Sequence, residues 1–211
     1  MILILIAQSQ PGKQFLKMSN IYFLFFFIVF CGFLYKILKK SPNKLPVDII
    51  IFSFFYHLLF CFIYWYYSLF NSADSINYYY SVYYSSSSNW FSLFGFGTQF
   101  IKFFLYPFIK YLHLSYFSCF LVFNFFGFLG IFLFYITLRK KIFHHLKLRK
   151  LLNLLLFIPG LNFWSTAIGK DSLIIFGLGL FFYAFANQKI KWIILSFVII
   201  LLVRPYMLFF I

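Results

Sequence analysis

The sequence predicts an all-α, polytopic membrane protein: a bundle of about six transmembrane helices plus one amphipathic helix in the membrane interface. Of its 211 residues, 64% are hydrophobic and only 10% are charged, whereas a soluble domain carries about 25% charged residues. Apolar runs recur at about the length that crosses ~30 Å of hydrocarbon. Lys and Arg cluster in short stretches between these runs, which is typical of cytoplasmic loops.

The charge balance is strongly basic, with a net charge of +15 and only three acidic residues, Asp48, Asp74 and Asp171. The cations are divided among short loops and form no continuous basic face, so we expect no nucleic-acid partner. The three cysteines lie singly in apolar runs, and the four histidines show no ligand spacing. We therefore expect no metal site and no cofactor.

The N-terminal third begins with residues 1–20, whose short apolar stretch lacks a preceding basic region, so we expect no cleaved signal peptide. Residues 21–38 form the first predicted span, followed by a basic loop at 36–44. The uncharged residues 49–70 form the second span. Its far end, Tyr64-Trp65-Tyr66-Tyr67, is typical of an interfacial aromatic belt.

The middle of the chain contains an extended polar stretch at 71–98, without Lys or Arg. Residues 99–114 follow, with Lys102 and Lys110 about two turns apart among apolar residues and Pro107 in between. This pattern favours a helix lying in the interface over a span.

The remaining apolar runs predict four more spans, which makes six in all. The strongest basic cluster of the chain, at 139–150, follows the third span. We assign residues 21–211 to one transmembrane domain. Because the chain stops on apolar residues without a polar flank, we expect the natural protein to continue. The four spans are 115–138, 151–168 (interrupted by Pro159-Gly160), 172–186 and 192–211.

Topology follows from placing the basic loops at 36–44 and 139–150 on the cytoplasmic side. If the chain crosses the membrane twice between these loops, both lie on the same side, whereas three crossings would place them on opposite sides. The rule therefore supports leaving 99–114 in the interface. Continuing the count puts six charged residues on the outer side: Asp74, Lys102, Lys110, Lys170, Asp171 and Arg204.

Asp74 is the one acidic residue of the outer loop. Its carboxylate is the candidate general base for chemistry there, although aspartates are also common in turns. The neighbouring Tyr78, Tyr79, Tyr80 and Trp90 fit either a low-complexity loop or aromatic platforms for sugar rings.

Lys170 and Arg204 are candidate anion ligands. Lys170 precedes the predicted helix at 172–186, whose N-terminal N–H groups attract anions, and Asp171 fits either an N-cap or a site residue. Arg204 lies in an apolar run, where a charge costs about 2.5–3.5 kcal/mol on insertion scales. Such a residue usually faces a polar cavity or a partner.

Residues 158–173, IPGLNFWSTAIGKDSL, are followed about thirty residues later by Val203-Arg204-Pro205-Tyr206. Together with the Asp74 loop, they resemble polytopic bacterial proteins of cell-surface polysaccharide biosynthesis, the Wzy- and EpsG-like polymerases. The arrangement is also similar to GT-C-type glycosyltransferases, in which a first outer loop carries an acid. The motif that carries most of the resemblance is Phe163-Trp164-Ser165 with Lys170-Asp171.

The resemblance implies a membrane glycosyltransferase or polysaccharide polymerase in the bacterial inner membrane, acting at its outer face on a polyprenyl-phosphate-linked saccharide. Asp74 would be the catalytic base. Lys170, Arg204, Asp171 and Trp164 would bind the phosphate and the substrate.

Two other classes remain open from the sequence. Pro159-Gly160 and Gly169 fit the discontinuous helices of a transporter or flippase subunit. The other class is a membrane protein without enzymatic activity. The depth of the polar residues in the membrane distinguishes a transporter from a transferase. Broken helices that meet at mid-membrane favour a transporter, and polar groups gathered at one face of the membrane favour a transferase.

Overall fold

The computed structural model describes residues 32, 46–85, 89–141 and 146–210, and this part of the chain is helical without a β-strand. The predicted segments at 1–20 and 21–38 lie outside it, apart from Gly32. The helices are α1 (Val47–Phe70), α2 (Asp74–Tyr83), α3 (Thr98–Tyr106), α4 (Tyr116–Lys141), α5 (Leu146–Leu155), α6 (Pro159–Ser165), α7 (Lys170–Ala186) and α8 (Ile190–Val203), with 3₁₀ turns at Trp90–Leu93 and Pro205–Phe210 and a π turn at Pro107–Tyr111.

Two helices are long and apolar enough to cross a membrane, α1 with 24 residues and α4 with 26. At 1.5 Å per residue each exceeds about 30 Å, which indicates a membrane protein. The last turn of α4 carries Arg139, Lys140 and Lys141, where cations interact favourably with the negative end of the helix dipole.

The helices α6 and α7 together are apolar enough for a third span, but they are bent by 111° at the break between them. The helix α8 has 14 residues, or about 21 Å. The described residues therefore contain two candidate spans, or three if the bent pair is one, and the prediction of six is not confirmed.

Residues 151–168, predicted as one span interrupted at Pro159-Gly160, lie in two short helices, α5 and α6. The chain breaks between α5 and α6, because Pro159 starts a new helix at a position where its missing N–H costs nothing. Asn153 lies level with Tyr135 of α4, with 2.8 Å between their side-chain oxygens, and Ser165 packs on Gly127. The two short helices thus run along α4 from near its C-terminal end toward its start.

The polar stretch at 71–98 is also more ordered than a loop, since Asp74–Tyr83 form α2. The predicted interfacial helix at 99–114 is a nine-residue helix, α3, which gives way at Pro107 to a wider π turn. Proline removes a backbone donor and disrupts the regular helical ladder.

Helix α7 packs closely on α4 through glycines: a Cβ added to Gly179 would overlap the carbonyl of Gly130. Such small residues let two helices approach within a membrane. The two helices run in parallel, since Phe126 contacts Phe176 (5.2 Å between ring centroids) and Lys140 contacts Asn187 (3.0 Å). Helix α8 returns antiparallel to α7.

One end of the bundle, which we call the site end, gathers several chain segments. Tyr116 at the start of α4 donates to Ser68 near the end of α1 (3.0 Å) and contacts Ser75 of α2 (2.9 Å). The N–H of Gly97 donates to Leu202 of α8 (2.7 Å). The start of α7 lies at the same end, because α7 is parallel to α4.

Candidate functional site

An ion pair joins α7 to the end of α8. The Arg204 Nη2 atom donates to Asp171 Oδ1 over 2.7 Å, and the side chains are 29% and 43% exposed. The helix α7 starts at Lys170, so Asp171 lies inside its first turn and is not the N-cap; that position belongs to Gly169, which has no side chain. Arg204 caps α8 and ends the apolar run predicted at 192–211.

Lys170 reaches the start of α3. Its Nζ lies 3.8 Å from the position that a Cβ on Gly97 would occupy, and the carbonyl oxygen of Val203 lies 3.9 Å from the same point. Gly97 has a φ of +65°, which glycine adopts without the steric cost borne by other residues. The Lys170 ammonium, the start of α3 and the end of α8 are therefore neighbours.

Tyr78 lies within electrostatic reach of Asp74 as well as of the Asp171–Arg204 pair. Its hydroxyl is hydrogen-bonded to the side chain of Thr98 and interacts electrostatically with Asp74, Asp171 and Arg204. Burial and the negative charge of Asp74 raise the pKa of Tyr78, and the Thr98 bond and the Arg204 charge oppose this increase. The charges of Asp74, Asp171 and Arg204 therefore all act on the Tyr78 hydroxyl.

We call Asp74, Tyr78, Thr98, Lys170, Asp171 and Arg204 the charged cluster. The structure thus brings together four of the five residues that the sequence singled out. Their roles in binding or catalysis stay predictions.

The fifth residue, Trp164, lies at the edge of this cluster. Its side chain is 56% exposed, and its ring packs against Phe163 (5.3 Å) and Tyr64 (6.1 Å). Tyr64 is buried and lies within electrostatic reach of Asp74 and Asp171. One tyrosine ring therefore separates Trp164 from the carboxylates.

The sequence interpretation considered Tyr78 only as an aromatic platform or a loop residue, and it gave Thr98 no role in the site. Tyr78 follows Asp74 by four residues, a spacing that puts both on one helix face, but this signal required knowing that the stretch is helical. Thr98 is the first residue of α3, and no sequence pattern pairs it with Tyr78.

Other residues between α1 and α4 that the sequence singled out are engaged elsewhere. Lys110 donates to the carbonyls of Tyr83 (3.0 Å) and Ser85 (2.9 Å), which caps the C-terminus of α2. Tyr79 donates to the Leu114 carbonyl (3.1 Å), and Trp90 stacks on Phe103. These two rings pack within the protein and do not offer open platforms for sugars.

The cluster combines two cations, which suit a phosphate, with two carboxylates, one of which holds a cation. Among the residues that the structure describes, no group of three or more His, Cys, Asp or Glu is placed to hold a metal ion. The cations of the cluster can bind an anion, and its carboxylates can transfer a proton.

Comparison of the chain with protein-family models, with curated proteins and with solved structures finds no match. The resemblance carried by the Trp164 and Lys170 motifs stays a prediction.

Proposed function

We propose that this chain is a membrane glycosyltransferase or polysaccharide polymerase that acts on polyprenyl-phosphate-linked sugars at the outer face of the bacterial inner membrane, within a bundle of six spans. The observation that carries the proposal is the convergence of Lys170, Arg204 and Asp74 at one end of long apolar helices. A lipid-linked sugar presents its phosphate at that depth, where its hydrocarbon tail meets water.

Phosphate binding falls to the two cations. The Arg204 guanidinium has five N–H donors, and Asp171 accepts one of them. The bond orients the side chain and offsets its charge when no substrate is bound. Lys170 adds a second charge at the N-terminus of α7, whose free N–H groups also favour an anion.

The transfer step is a displacement at the anomeric carbon of the donor sugar. The acceptor hydroxyl oxygen forms the new bond to this carbon while the bond to the phosphate oxygen breaks, and the lipid phosphate leaves with the electron pair. Asp74 takes the hydroxyl proton. Lys170 and Arg204 stabilise the negative charge that develops on the leaving phosphate. Trp164 presents an exposed aromatic surface beside the sugar.

A transporter or flippase subunit is the second candidate, because α6 and α7 form a helix pair bent by 111°. Discontinuous helices line the substrate sites of many transporters. Flux of a lipid-linked sugar across liposomes that contain the purified chain, without formation of a new glycosidic bond, would favour this function.

The proposed activity is tested with purified chain in nanodiscs, a polyprenyl-diphosphate-linked sugar donor and a panel of saccharide acceptors. We expect product formation by the unaltered chain and a loss of about 10²- to 10⁴-fold for Asp74→Asn, the range of general-base contributions. The matched control is Asp48→Asn, in the first turn of α1 and away from the cluster. Equal rates for Asp74→Asn and the unaltered chain would remove the base assignment.

A further inference from the structure

A groove opens at the end of the bundle opposite the site end. It lies between the start of α1 and the chain from α5 to α6, and its volume is about 430 Å³, within the range of pockets that hold small molecules. The charged cluster lies at the other end, so the proposed transfer reaction does not account for this groove. The residues that line it are Asp48, Ile49, Phe52, Asn153, Leu154 and Phe157.

The walls of the groove are apolar and face outward. Phe52 and Leu154 are 66% and 63% exposed, and the Phe52 ring centroid lies 5.7 Å from that of Phe157. Behind these walls, Ile50 of α1 and Leu156 belong to one buried cluster. Exposed apolar walls over a packed floor suit a hydrocarbon chain of the surrounding membrane.

Two exposed lysines of α5 lie between these walls and the end of the bundle. Lys147 and Lys150 precede Leu154 by seven and four positions, a spacing that places all three on one face of the helix. The helix runs away from the end of the bundle, because Asn153 lies level with Tyr135 near the C-terminus of α4. Lys150 and Lys147 are therefore about 6 Å and about 10 Å closer to that end than Leu154.

This end of the bundle has an excess of positive charge. Among the residues that the structure describes, the one ion pair joins Asp171 to Arg204 at the opposite end, so the two lysines have no carboxylate partner. Asp48 is the one acidic residue of the chain that does not belong to the charged cluster. The basic last turn of α4 adds further cations. The region therefore complements an anionic headgroup.

We propose that the groove binds an anionic phospholipid of the bilayer. One acyl chain lies against Phe52, Leu154 and Phe157, and the phosphate contacts Lys147 and Lys150. Ammonium groups donate charge-assisted hydrogen bonds to phosphate oxygens, and basic pockets between membrane helices bind anionic headgroups in this way. The bound lipid is distinct from the proposed lipid-linked substrate, whose phosphate is assigned to the site end.

Native mass spectrometry of the purified full chain tests the headgroup selectivity. Phosphatidylglycerol and phosphatidylcholine with the same two acyl chains are titrated separately, and the bound lipid is counted. We expect a preference for phosphatidylglycerol. Lys147→Ala and Lys150→Ala should each weaken its binding about five-fold, the contribution of one lysine at a lipid surface. Equal affinities of the unaltered chain for the two lipids would overturn the proposal.

Lys191→Ala is the matched control for the lysine variants. Lys191 is exposed on the first turn of α8, at the same end of the bundle, and does not line the groove. We expect its replacement to leave the affinity for phosphatidylglycerol unchanged. An equal loss in Lys191→Ala and Lys150→Ala would show a general attraction to basic surface and no site at the groove.

A phosphatidylglycerol with a photoreactive diazirine in one acyl chain locates that chain in the unaltered protein. We expect cross-links to Phe52, Leu154 or Phe157, and a lower yield at Phe52 and Phe157 in Leu154→Trp, whose larger side chain fills the groove. Ile194→Trp on α8 is the control, because Ile194 has a similar exposed fraction of 57%. Cross-links of the unaltered chain that avoid all three groove residues would overturn the proposal, and this result does not depend on the folding of any variant.

Discussion

At the scale of single residues, the Asp171–Arg204 pair explains how a guanidinium is tolerated at the end of an apolar helix. A charge within a membrane is costly unless it is paired or reaches water, and Arg204 does both, with a carboxylate at 2.7 Å and partial exposure. Because exposed ion pairs contribute only about 0–1 kcal/mol, we assign the pair a role in orienting Arg204 more than in stability.

The phosphate assignment predicts a selective loss of lipid binding. We expect Lys170→Ala and Arg204→Ala each to weaken binding of polyprenyl phosphate by about 10- to 100-fold, the usual contribution of a charged hydrogen bond. Competition with a radiolabelled polyprenyl phosphate in nanodiscs measures this.

Lys189→Ala is the matched control for both changes. Lys189 is the N-cap residue that precedes α8 at the opposite end of the bundle, and its ammonium lies over the ring of Tyr183. Equal binding by all three variants would contradict the phosphate assignment.

Sequence reasoning found the charges of the cluster but not their pairing. Asp74, Lys170, Asp171 and Arg204 are conspicuous because they interrupt a chain that is 10% charged. The contact between Asp171 and Arg204 spans 33 positions and depends on α7 and α8 folding back on each other. Local patterns carry no information on such a contact.

At the scale of helices, hydropathy predicted the positions of α1 and α4 and failed where the backbone is broken. Residues 151–168 were predicted as one span interrupted at Pro159-Gly160, and the structure has two short helices there, α5 and α6, with the break before Pro159. In the opposite direction, the Tyr- and Ser-rich stretch after Asp74 gave no amphipathic signal strong enough to predict α2. Packing of its buried residues, among them Tyr79 and Val82, stabilises it as a helix.

The glycine contact between α4 and α7 predicts a sensitive position. In Gly179→Ala the added Cβ would overlap the Gly130 backbone, so the helices must separate, and we expect a loss of about 1–3 kcal/mol in stability. Thermal unfolding in detergent measures it.

Gly160→Ala is the control, because a Cβ at Gly160 meets no atom of the described residues within 4 Å. Equal midpoints for the two alanine variants would contradict the close packing of α4 on α7.

At the scale of the whole molecule, the parallel course of α4 and α7 and the return of α8 bring the cluster to one end and Lys140 with Asn187 to the other. The basic last turn of α4 lies at this second end, as the distribution of positive charge between cytoplasmic and outer faces requires. A transferase needs this separation, since its lipid phosphate and its acceptor must meet in water at a single face.

The most direct measurement of that arrangement is sidedness labelling of single cysteines at positions 74, 170 and 204, in a chain whose three native cysteines are replaced by serine or alanine. A membrane-impermeant maleimide is added to intact cells or to oriented vesicles, with a cysteine at position 141 as the opposite-face control. We expect all three cluster positions to react from the outside and position 141 to react only after permeabilisation. Labelling of any two cluster positions from opposite faces would contradict a shared outer compartment and, with it, the proposed transferase site.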